Sequence, residues 1–470
     1  MSDGTPSAWT PGPLATDVPL YVALADALAR DLERGRLEPG QRLPTHRSLA
    51  RRLGINVMTV TRGYAEAARR GLVEGETGRG TFVRGQGRPA NDFLPLMDGG
   101  GRRIVDFHFN LPAGDPSLLD VEGSLASFAT EPGSAPLFTG YTAVGLEAHR
   151  AGGARWLART GAPEAPERVL LTGGAQHAMT LAFLARTSPG DLILTEELTY
   201  PGAKGLAAAL HLRIQGVAMD AEGLLPDALE AACRRGEPKL VYTMPTVNNP
   251  RGIVMGEPRR REIVAVARRY GLAIVEDDTY AFLVDDPPPP FARLAPELTT
   301  LVTGTSKSLA AGLRVGYLLA PEGESVEERF APYVAAISWM AAPLLAELAT
   351  RWIDGGAAVR MVAWKRFEAR ARRELADAAF PGARVDAYRG SSHLLLPLPP
   401  PWCAVEFSAG ASRRGVVVTP AEAFMPGRGT APEAVRLCLG TPGTRDEVAR
   451  GLAILGELYR SRPGMERAIV

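Results

Sequence analysis

Lysine chemistry has few possible positions in this chain, whose only lysines are Lys204, Lys239, Lys307 and Lys365. Lys307 follows a predicted strand, Leu301–Thr303, within the segment TGTSKSLAAGLRVGYLLAP. A lysine at that place faces the crevice at the carboxyl end of an α/β sheet, where open folds of this kind bind ligands. On its own the pattern is more typical of a surface lysine, so a chemical role depends on the groups around it.

The motif VEDDTY ends another predicted strand and supplies two such groups. Asp277 could pair with a protonated ring nitrogen, so that the ring of a heterocyclic cofactor continues to act as an electron sink. Asp278 is the competing choice for this partner of the ring nitrogen. Tyr280 follows at a spacing that lets its hydroxyl group approach a ring oxygen. Glu276, and Asp278 if it lacks the ring role, are expected to be solvated or to cap an element.

A phosphate site is predicted where a glycine pair follows a strand and precedes a helix. Backbone N–H groups of Gly174 and Ala175 could hold a dianion at that helix N-terminus. Ser306 and Arg314, close to Lys307 in sequence, add a hydroxyl group and a planar cation.

Two further side chains fit a ring. Asn249, in PTVNNPRG, could hydrogen-bond a phenolic oxygen, and Tyr200, in LTYPGA, could stack on a pyridine face. The alternatives are a turn asparagine and a core tyrosine.

The elements that must position these groups alternate between strand and helix from residue 104 onward. The predicted strands lie in RVLLTGG, LILTEE, KLVYTMPT, LAIVEDD and LTTLVTGTSK. Short apolar runs before helical stretches are typical of a mostly parallel sheet buried on both faces, an α/β domain. We predict a large domain over 104–340 and a smaller α+β C-terminal subdomain over 341–470, with strands in HLLLPLP, GVVVTP and VRLCLG.

The N-terminal region has a different pattern. Helices are predicted from about Leu20 to Arg34, from after the N-cap Thr45 to Leu53, and over Val57–Arg70. Two short strands follow around a turn at residues 77–79. Together these elements predict a winged helix-turn-helix over 14–84, followed by a Gly- and Pro-rich linker over 85–103.

The segment from Leu20 to Val83 resembles the DNA-binding domain of the GntR regulators over its full length. The resemblance implies a recognition helix in the major groove of double-stranded DNA and phosphate contacts from arginines. The candidate DNA-binding residues are Arg47, Asn56, Thr59, Thr61, Arg62, Arg79 and Gly80. Val57 stands where many relatives carry a base-reading arginine, so base readout is expected to rest on neighbouring residues.

From residue 104 to about 458, the order of motifs resembles the class I aminotransferases, fold type I of the pyridoxal-phosphate enzymes. By that resemblance Lys307 carries pyridoxal 5'-phosphate covalently, Asp277 pairs with the pyridine nitrogen, and Tyr280 with Asn249 tunes the ring oxygen. The implied phosphate ligands are Gly174, Ala175, Ser306, Arg314 and, from the partner subunit of a homodimer, Tyr141.

The resemblance also assigns a carboxylate-binding arginine. Arg436, in AVRLCLG, matches the residue that grips a substrate carboxylate, with Asn249 beside it. Two departures from the family pattern, Arg251 and the pair Ser391-Ser392, are expected to lie close enough to the site to alter substrate choice.

Composition excludes several classes of protein. The 470 residues carry 53 Lys+Arg against 52 Asp+Glu, so no chain-wide basic field draws the chain to nucleic acid or membrane. With 46% apolar residues and no export signal, we expect a cytoplasmic globular protein. The three cysteines fit neither a disulfide framework nor a metal site.

A GntR-type domain ahead of an aminotransferase-like domain resembles the layout of the MocR regulators, including the GABA-responsive GabR type. The first hypothesis is a pyridoxal-phosphate-dependent transcriptional regulator that senses an amino compound. A working aminotransferase with an auxiliary DNA-binding domain is the alternative, and a cofactor-binding scaffold with neither activity is a third.

Overall fold

The computed structural model describes residues 9–14, 19–33, 36–37, 41–69, 72–76, 80–83, 104–130, 135–427 and 430–462. The chain divides into two compact units, residues 1–96 and 97–470. Among the helices in these ranges, none is long and apolar enough to cross a membrane.

The first unit has the predicted order of elements. They are α1 (Leu20–Glu33), α2 (His46–Leu53), α3 (Val57–Arg69), β1 (Val73–Glu76) and β2 (Gly80–Val83). The Thr45 hydroxyl group caps α2 by accepting the Ser48 N–H at 3.3 Å, and Gly54 ends α2 with φ of 66°. A positive φ favours glycine, and here it makes the tight turn between α2 and α3. The strands β1 and β2 pair antiparallel, and their predicted turn lies outside the described residues.

The second unit begins with the elements that build its large sheet. In chain order these are β3 (Val105–Asp106), α4 (Val121–Thr130), α5 (Pro136–Thr139), α6 (Glu147–Ala158), β4 (Val169–Thr172), α7 (Ala175–Leu184), β5 (Leu192–Glu196), α8 (Pro201–Ala209), β6 (Arg213–Val217), β7 (Met219–Asp220), β8 (Gly223–Leu224), α9 (Pro226–Arg235), β9 (Pro238–Thr243), α10 (Glu257–Tyr270), β10 (Ala273–Asp277), α11 (Phe291–Leu294), β11 (Thr299–Gly304), α12 (Thr305–Ser308) and β12 (Gly316–Leu319).

The remaining elements are mainly helical and end in a small sheet. They are α13 (Val326–Arg329), α14 (Ala331–Ile337), α15 (Pro343–Asp354), α16 (Ala357–Ala379), β13 (His393–Pro397), α17 (Ala404–Arg413), β14 (Val416–Val417), β15 (Thr419–Pro420), β16 (Ala434–Cys438) and α18 (Arg445–Arg460).

Seven strands form the main sheet in the order β4-β12-β11-β10-β9-β5-β6. Every pairing is parallel except those of β12, which runs antiparallel to β4 and β11. Apolar clusters pack on both faces; in one of them Trp156 stacks on Phe282 with ring centroids 4.4 Å apart. The predicted α/β domain with a mostly parallel sheet is confirmed.

The C-terminal part has the predicted α+β character, with β13, β16 and β15 forming an antiparallel sheet. One strand from far upstream belongs to this part: β3 pairs with β14 in a separate parallel two-stranded sheet, and the buried Phe107 packs into the same apolar core. The boundary near residue 340 stays a prediction, but residues 105–107 pack with the C-terminal part.

A buried ion pair anchors β10 beneath its carboxyl end. The Glu276 carboxylate and the Arg260 guanidinium are both fully buried, 3.4 Å apart. Glu276 also accepts the N–H groups of Phe291 and Ala292, each at 3.0 Å, so its expected capping role is confirmed, at α11. Asp278 was expected to be solvated or to cap an element. It is not solvated, because it is buried beside the same ion pair.

Replacing Arg260 by methionine should strongly destabilise this unit. The change would leave the Glu276 carboxylate buried without its cation, which costs about 3–5 kcal/mol in the free energy of unfolding. Arg261→Met is the matched control on α10, because the Arg261 side chain is 65% exposed and pairs with Glu257. Urea unfolding monitored by circular dichroism measures both variants; equal midpoints for the two would contradict this role of the buried pair.

Candidate functional site

Adjacent strand ends bring Lys307 and Asp277 to one edge of the sheet. The strands β10 and β11 are parallel neighbours, with Asp277 opposite Val302. Lys307 follows on α12, directly after β11, and its ammonium group donates to the main-chain oxygen of Asn110. The Lys307 Nζ atom lies 5.9 Å from the centre of the Tyr280 ring.

Burial changes the chemistry of Lys307. Desolvation, with a smaller contribution from the positive charge of Arg436, lowers the pKa of its amino group to about 8, and the charge of Asp277 opposes that shift. A lysine with a lowered pKa has a larger neutral fraction near pH 7 than a free lysine, and the neutral amine is the nucleophilic form.

The structure separates the two carboxylates of the VEDDTY motif. Asp277 accepts hydrogen bonds from the Tyr242 hydroxyl group at 2.8 Å and from the Thr279 N–H at 3.1 Å. Burial raises the pKa of Asp277, and the charge of Lys307 opposes that shift. Burial raises the pKa of Asp278 well above its ordinary value, but the charges that act on Asp278 are those of Glu276 and Arg260. Asp277, and not Asp278, thus shares its surroundings with Lys307.

The predicted phosphate ligands Gly174, Ala175 and Arg314 lie together. Gly174 precedes α7 with φ of 102°, and an added Cβ atom there would lie 3.0 Å from Nη2 of Arg314. The same guanidinium donates to the main-chain oxygen of Gly173 at 3.4 Å. Ser306 lies on α12 directly before Lys307.

The predicted ring ligands come from separate loops. Tyr200 precedes α8, its hydroxyl group donates to Gln176 Oε1 at 3.4 Å, and burial raises its pKa to about 12. Tyr280 is buried, with its ring centroid 5.3 Å from that of His393. Asn249 is buried as well, and its Oδ1 atom accepts from Arg436 Nη1 at 3.0 Å.

Arg436 reaches the site from the C-terminal sheet. It is buried on β16, its guanidinium lies 4.7 Å from the centre of the Phe424 ring, and it also donates to the main-chain oxygen of His108. Its Nε atom has no hydrogen-bond partner among the described residues. A buried guanidinium with donors to spare suits a carboxylate ligand.

Of the two predicted departures, Arg251 does not point at this cluster. Its guanidinium donates to the main-chain oxygen of Asp220 at 2.6 Å and pairs with Asp386 at 2.9 Å. The expectation that Arg251 lies close enough to the site to alter substrate choice stays a prediction. The pair Ser391-Ser392 does lie nearby, because Ser392 lines a cavity beside the site.

Tyr141 stands apart from the other candidates. Its side chain is 56% exposed and contacts Trp339 edge-to-face, with ring centroids 5.7 Å apart. Its role at the partner subunit's phosphate stays a prediction.

Sequence reasoning missed three groups that complete this cluster. Tyr242 lies in a strand that reads as pure core, and Asn110 and His108 come from a segment with no recognised motif. Only their contacts with already named residues identify them.

The residues present fit pyridoxal phosphate. A buried carboxylate on β10 suits a protonated ring nitrogen, because a cation offsets the cost of burying that charge. The glycine turn before α7 offers N–H groups beside Arg314, which suits a phosphate dianion. A bound cofactor would supply an electron sink for an amino compound, and Lys307 is the residue whose amine would hold that cofactor.

In the first unit, Arg47 lies on α2, and Asn56, Thr59, Thr61 and Arg62 lie on or beside α3. Arg47 and Arg62 are exposed. Asn56 accepts the Met58 N–H at 2.8 Å, so its side-chain oxygen caps α3, and the Thr61 hydroxyl group donates to the Val57 main-chain oxygen at 3.0 Å.

Of the other three candidate DNA contacts, the structure describes two. Thr59 is partly buried on α3 and Gly80 begins β2, whereas Arg79 lies outside the described residues.

Two family models match the chain. Residues 109–453 match the aminotransferase class I and II family, and residues 20–83 match the gntR family of bacterial regulatory proteins.

Individual proteins resemble one or both parts. YdeF of Bacillus subtilis, an uncharacterised HTH-type transcriptional regulator, is 29% identical over 457 residues, covering 96% of this chain and 97% of YdeF. The HTH-type transcriptional regulator TauR of Rhodobacter capsulatus is 28% identical over 66% of this chain and 68% of its own. The crystal structure of an archaeal alanine:glyoxylate aminotransferase is 25% identical, with a TM-score of 0.69 over 76% of this chain and 91% of that one.

Replacing Asp277 by asparagine should weaken retention of pyridoxal phosphate by at least about tenfold, because the ring nitrogen would lose a buried anionic partner. Asp278→Asn is the matched control, one residue along but facing Glu276 and Arg260. Absorbance of the protein-bound cofactor after gel filtration measures both. If Asp278→Asn loses the cofactor and Asp277→Asn keeps it, the roles are reversed.

Proposed function

We propose that this chain, which belongs to the aminotransferase class I and II family through residues 109–453 and carries a GntR-type domain ahead of it, is a transcriptional regulator of the MocR type. It would bind pyridoxal phosphate, sense an amino compound through that cofactor and change its affinity for an operator. The observation that carries the proposal is that one chain holds both a GntR-type domain and a buried cluster in which Asp277 and Arg314 act on Lys307. The similarity to the regulator YdeF over 96% of the chain supports it.

DNA binding on this proposal depends on a local patch. The formal net charge of the whole chain is only +1, so the phosphate contacts must come from the exposed arginines of the first unit, Arg47 and Arg62 among them. Val57 begins the recognition helix and carries no cation, so the bidentate guanine contact of an arginine is missing at that position. The operator must therefore be determined for this chain itself.

Ligand sensing depends on two groups from different parts of the second unit. Lys307 would hold the cofactor at the end of β11, and Arg436 on β16 would hold the carboxylate of the incoming amino compound. A ligand shifts a conformational equilibrium only by its difference in affinity for the two states. A ligand that bridges the main sheet and the C-terminal sheet can favour one arrangement of the two.

A homodimer is part of the proposal. It rests on the resemblance, which assigns Tyr141 to the partner's site, and the exposed ring of Tyr141 beside the exposed Trp339 agrees with an interface there. Two first units per dimer would bind a two-part operator.

A working aminotransferase is the second candidate, and one observation favours it. Lys307, Asp277 and Arg436 lie close enough to affect one another's charge, and this grouping would also suit transamination. The regulator proposal is preferred because a complete DNA-reading domain has no role in a plain enzyme.

The decisive experiment measures the affinity of the full chain for its own upstream DNA, with pyridoxal phosphate present and candidate amino compounds added. A ligand that alters the absorbance of the cofactor should change the operator affinity roughly 5- to 150-fold, the usual range of coupling between two sites. Arg436→Ala should lose this response for carboxylate-bearing amines, because it removes their carboxylate ligand.

Arg450→Ala, a change of an exposed arginine on α18, is the control and should respond like the wild type. Constant DNA affinity with every compound that alters the cofactor, together with accumulation of a keto acid, would replace the regulator proposal by the aminotransferase.

A further inference from the structure

The first turn of α3 exposes hydrocarbon side chains. Val57 and Met58 begin the helix and are 39% and 62% exposed, whereas Val60 and Tyr64 further along are buried in the core of the first unit. Isolated apolar residues on a surface need no explanation. These two, however, lie where the second helix of a helix-turn-helix contacts the edges of bases.

Asn56, directly before this turn, uses its side-chain acceptor within the protein. Its Oδ1 atom accepts the Met58 N–H at 2.8 Å and so caps α3. The amide N–H groups of Asn56 are what it can offer to DNA. Such donors discriminate weakly, because adenine, guanine and thymine all present acceptors in the major groove.

The hydroxyl group of Thr61 is engaged as well. It donates to the Val57 main-chain oxygen at 3.0 Å and lies 3.2 Å from Nδ1 of His46. Thr59, the other hydroxyl-bearing residue near the start of α3, is partly buried. A base would have to break the contacts of the Thr61 hydroxyl group in order to use it, so the group that Thr61 offers is its methyl group.

His46, the partner of Thr61, is itself fixed by the fold. Its ring packs edge-to-face on that of Tyr64, with ring centroids 5.0 Å apart. The buried Tyr64 hydroxyl group donates in turn to the Pro44 main-chain oxygen at 3.0 Å. The packing of α2 against α3 therefore keeps the Thr61 hydroxyl group occupied.

The same two helices carry the charge that DNA requires. Their exposed arginines include Arg47, Arg51, Arg52 and Arg62. Guanidinium groups pair with phosphates, so a polyanion fits this surface better than an uncharged apolar partner. The occupant that suits both the cations and the apolar edge is DNA with methyl groups in its groove.

We propose that the start of α3 reads the C5-methyl groups of thymine, through the side chains of Val57 and Met58 and the methyl group of Thr61. The ligand is thus double-stranded DNA with thymines where this edge of the helix lies. The inference deepens the proposed function and rests on it. In the major groove thymine presents a methyl group that adenine, guanine and cytosine lack, and removing two apolar surfaces from water is favourable.

The test uses the full chain, loaded with pyridoxal phosphate, and its own upstream DNA, on which footprinting first maps the protected region. Each thymine there is then replaced singly by deoxyuridine, which keeps the hydrogen-bonding groups of thymine and lacks only the methyl group. Fluorescence anisotropy at constant salt concentration measures the affinity. One or more replacements should weaken binding about fourfold each, the loss expected when a methyl-sized group is no longer buried.

The double variant Val57→Ser/Met58→Ser removes both exposed hydrocarbon side chains. At one or more of the sensitive positions it should bind the thymine and deoxyuridine duplexes equally. Because both side chains are exposed, the variant should unfold near the wild-type midpoint. Leu20→Ser is the matched control, since Leu20 is 39% exposed at the start of α1, and it should keep the wild-type ratios.

The outcomes separate this inference from the proposed function. If the wild type binds its upstream DNA and no deoxyuridine replacement changes the affinity, or the double variant keeps every ratio, methyl readout is overturned while the regulator proposal can still hold. If the double variant keeps every ratio and also sediments as a monomer where the wild type is a dimer, Val57 and Met58 belong to a contact between copies instead. If the wild type binds no DNA, the proposed function itself fails.

Discussion

The second unit depends on one constraint, the parallel pairing of β10 and β11 that ends both strands at the same edge of the sheet. That register puts Asp277 beside the start of α12 and hence beside Lys307. Both groups are removed from water, so burial raises the pKa of the carboxyl group and lowers that of the amine. The Tyr242 hydroxyl group holds the carboxylate, and the buried pair of Glu276 and Arg260 holds the strand beneath it. A buried lysine and a buried carboxylate therefore lie together at the edge of the sheet, where the proposed cofactor would contact both.

Other elements add to this edge from a distance. The glycine turn before α7 brings a helix N-terminus beside Arg314, and β16 brings Arg436 across from the C-terminal sheet. Because β3 pairs with β14, the segment that follows β3 enters the site from the C-terminal side and places Asn110 on Lys307. The site is thus shared between the main sheet and the C-terminal part, which makes it suited to a response that depends on their relative arrangement.

Much of this could be predicted from the sequence, because the signals are local. In the first unit, α2 is bounded by Thr45 and Gly54, a capping hydroxyl group and a residue with positive φ, and both act within one helical turn. The alternation of strands and helices likewise predicts the sheet edge on which Lys307 lies. The choice between Asp277 and Asp278 stayed open, since both follow the same strand and only the packing on each face separates them.

What could not be predicted depends on contacts between distant residues. Glu276 meets a cation from α10, and Arg251 turns toward Asp386, 135 positions further on. Lys365 gives no signal at all, because a lysine in a long helix is typical of an exposed face and only the fold buries it.

The proposed function requires that Lys307, at the end of β11, carries the cofactor. Borohydride reduction of the full chain loaded with pyridoxal phosphate, followed by proteolysis and mass spectrometry of the peptides, tests it most directly. We expect a pyridoxyl group on Lys307. A pyridoxyl group on Lys204, Lys239 or Lys365 instead would contradict it.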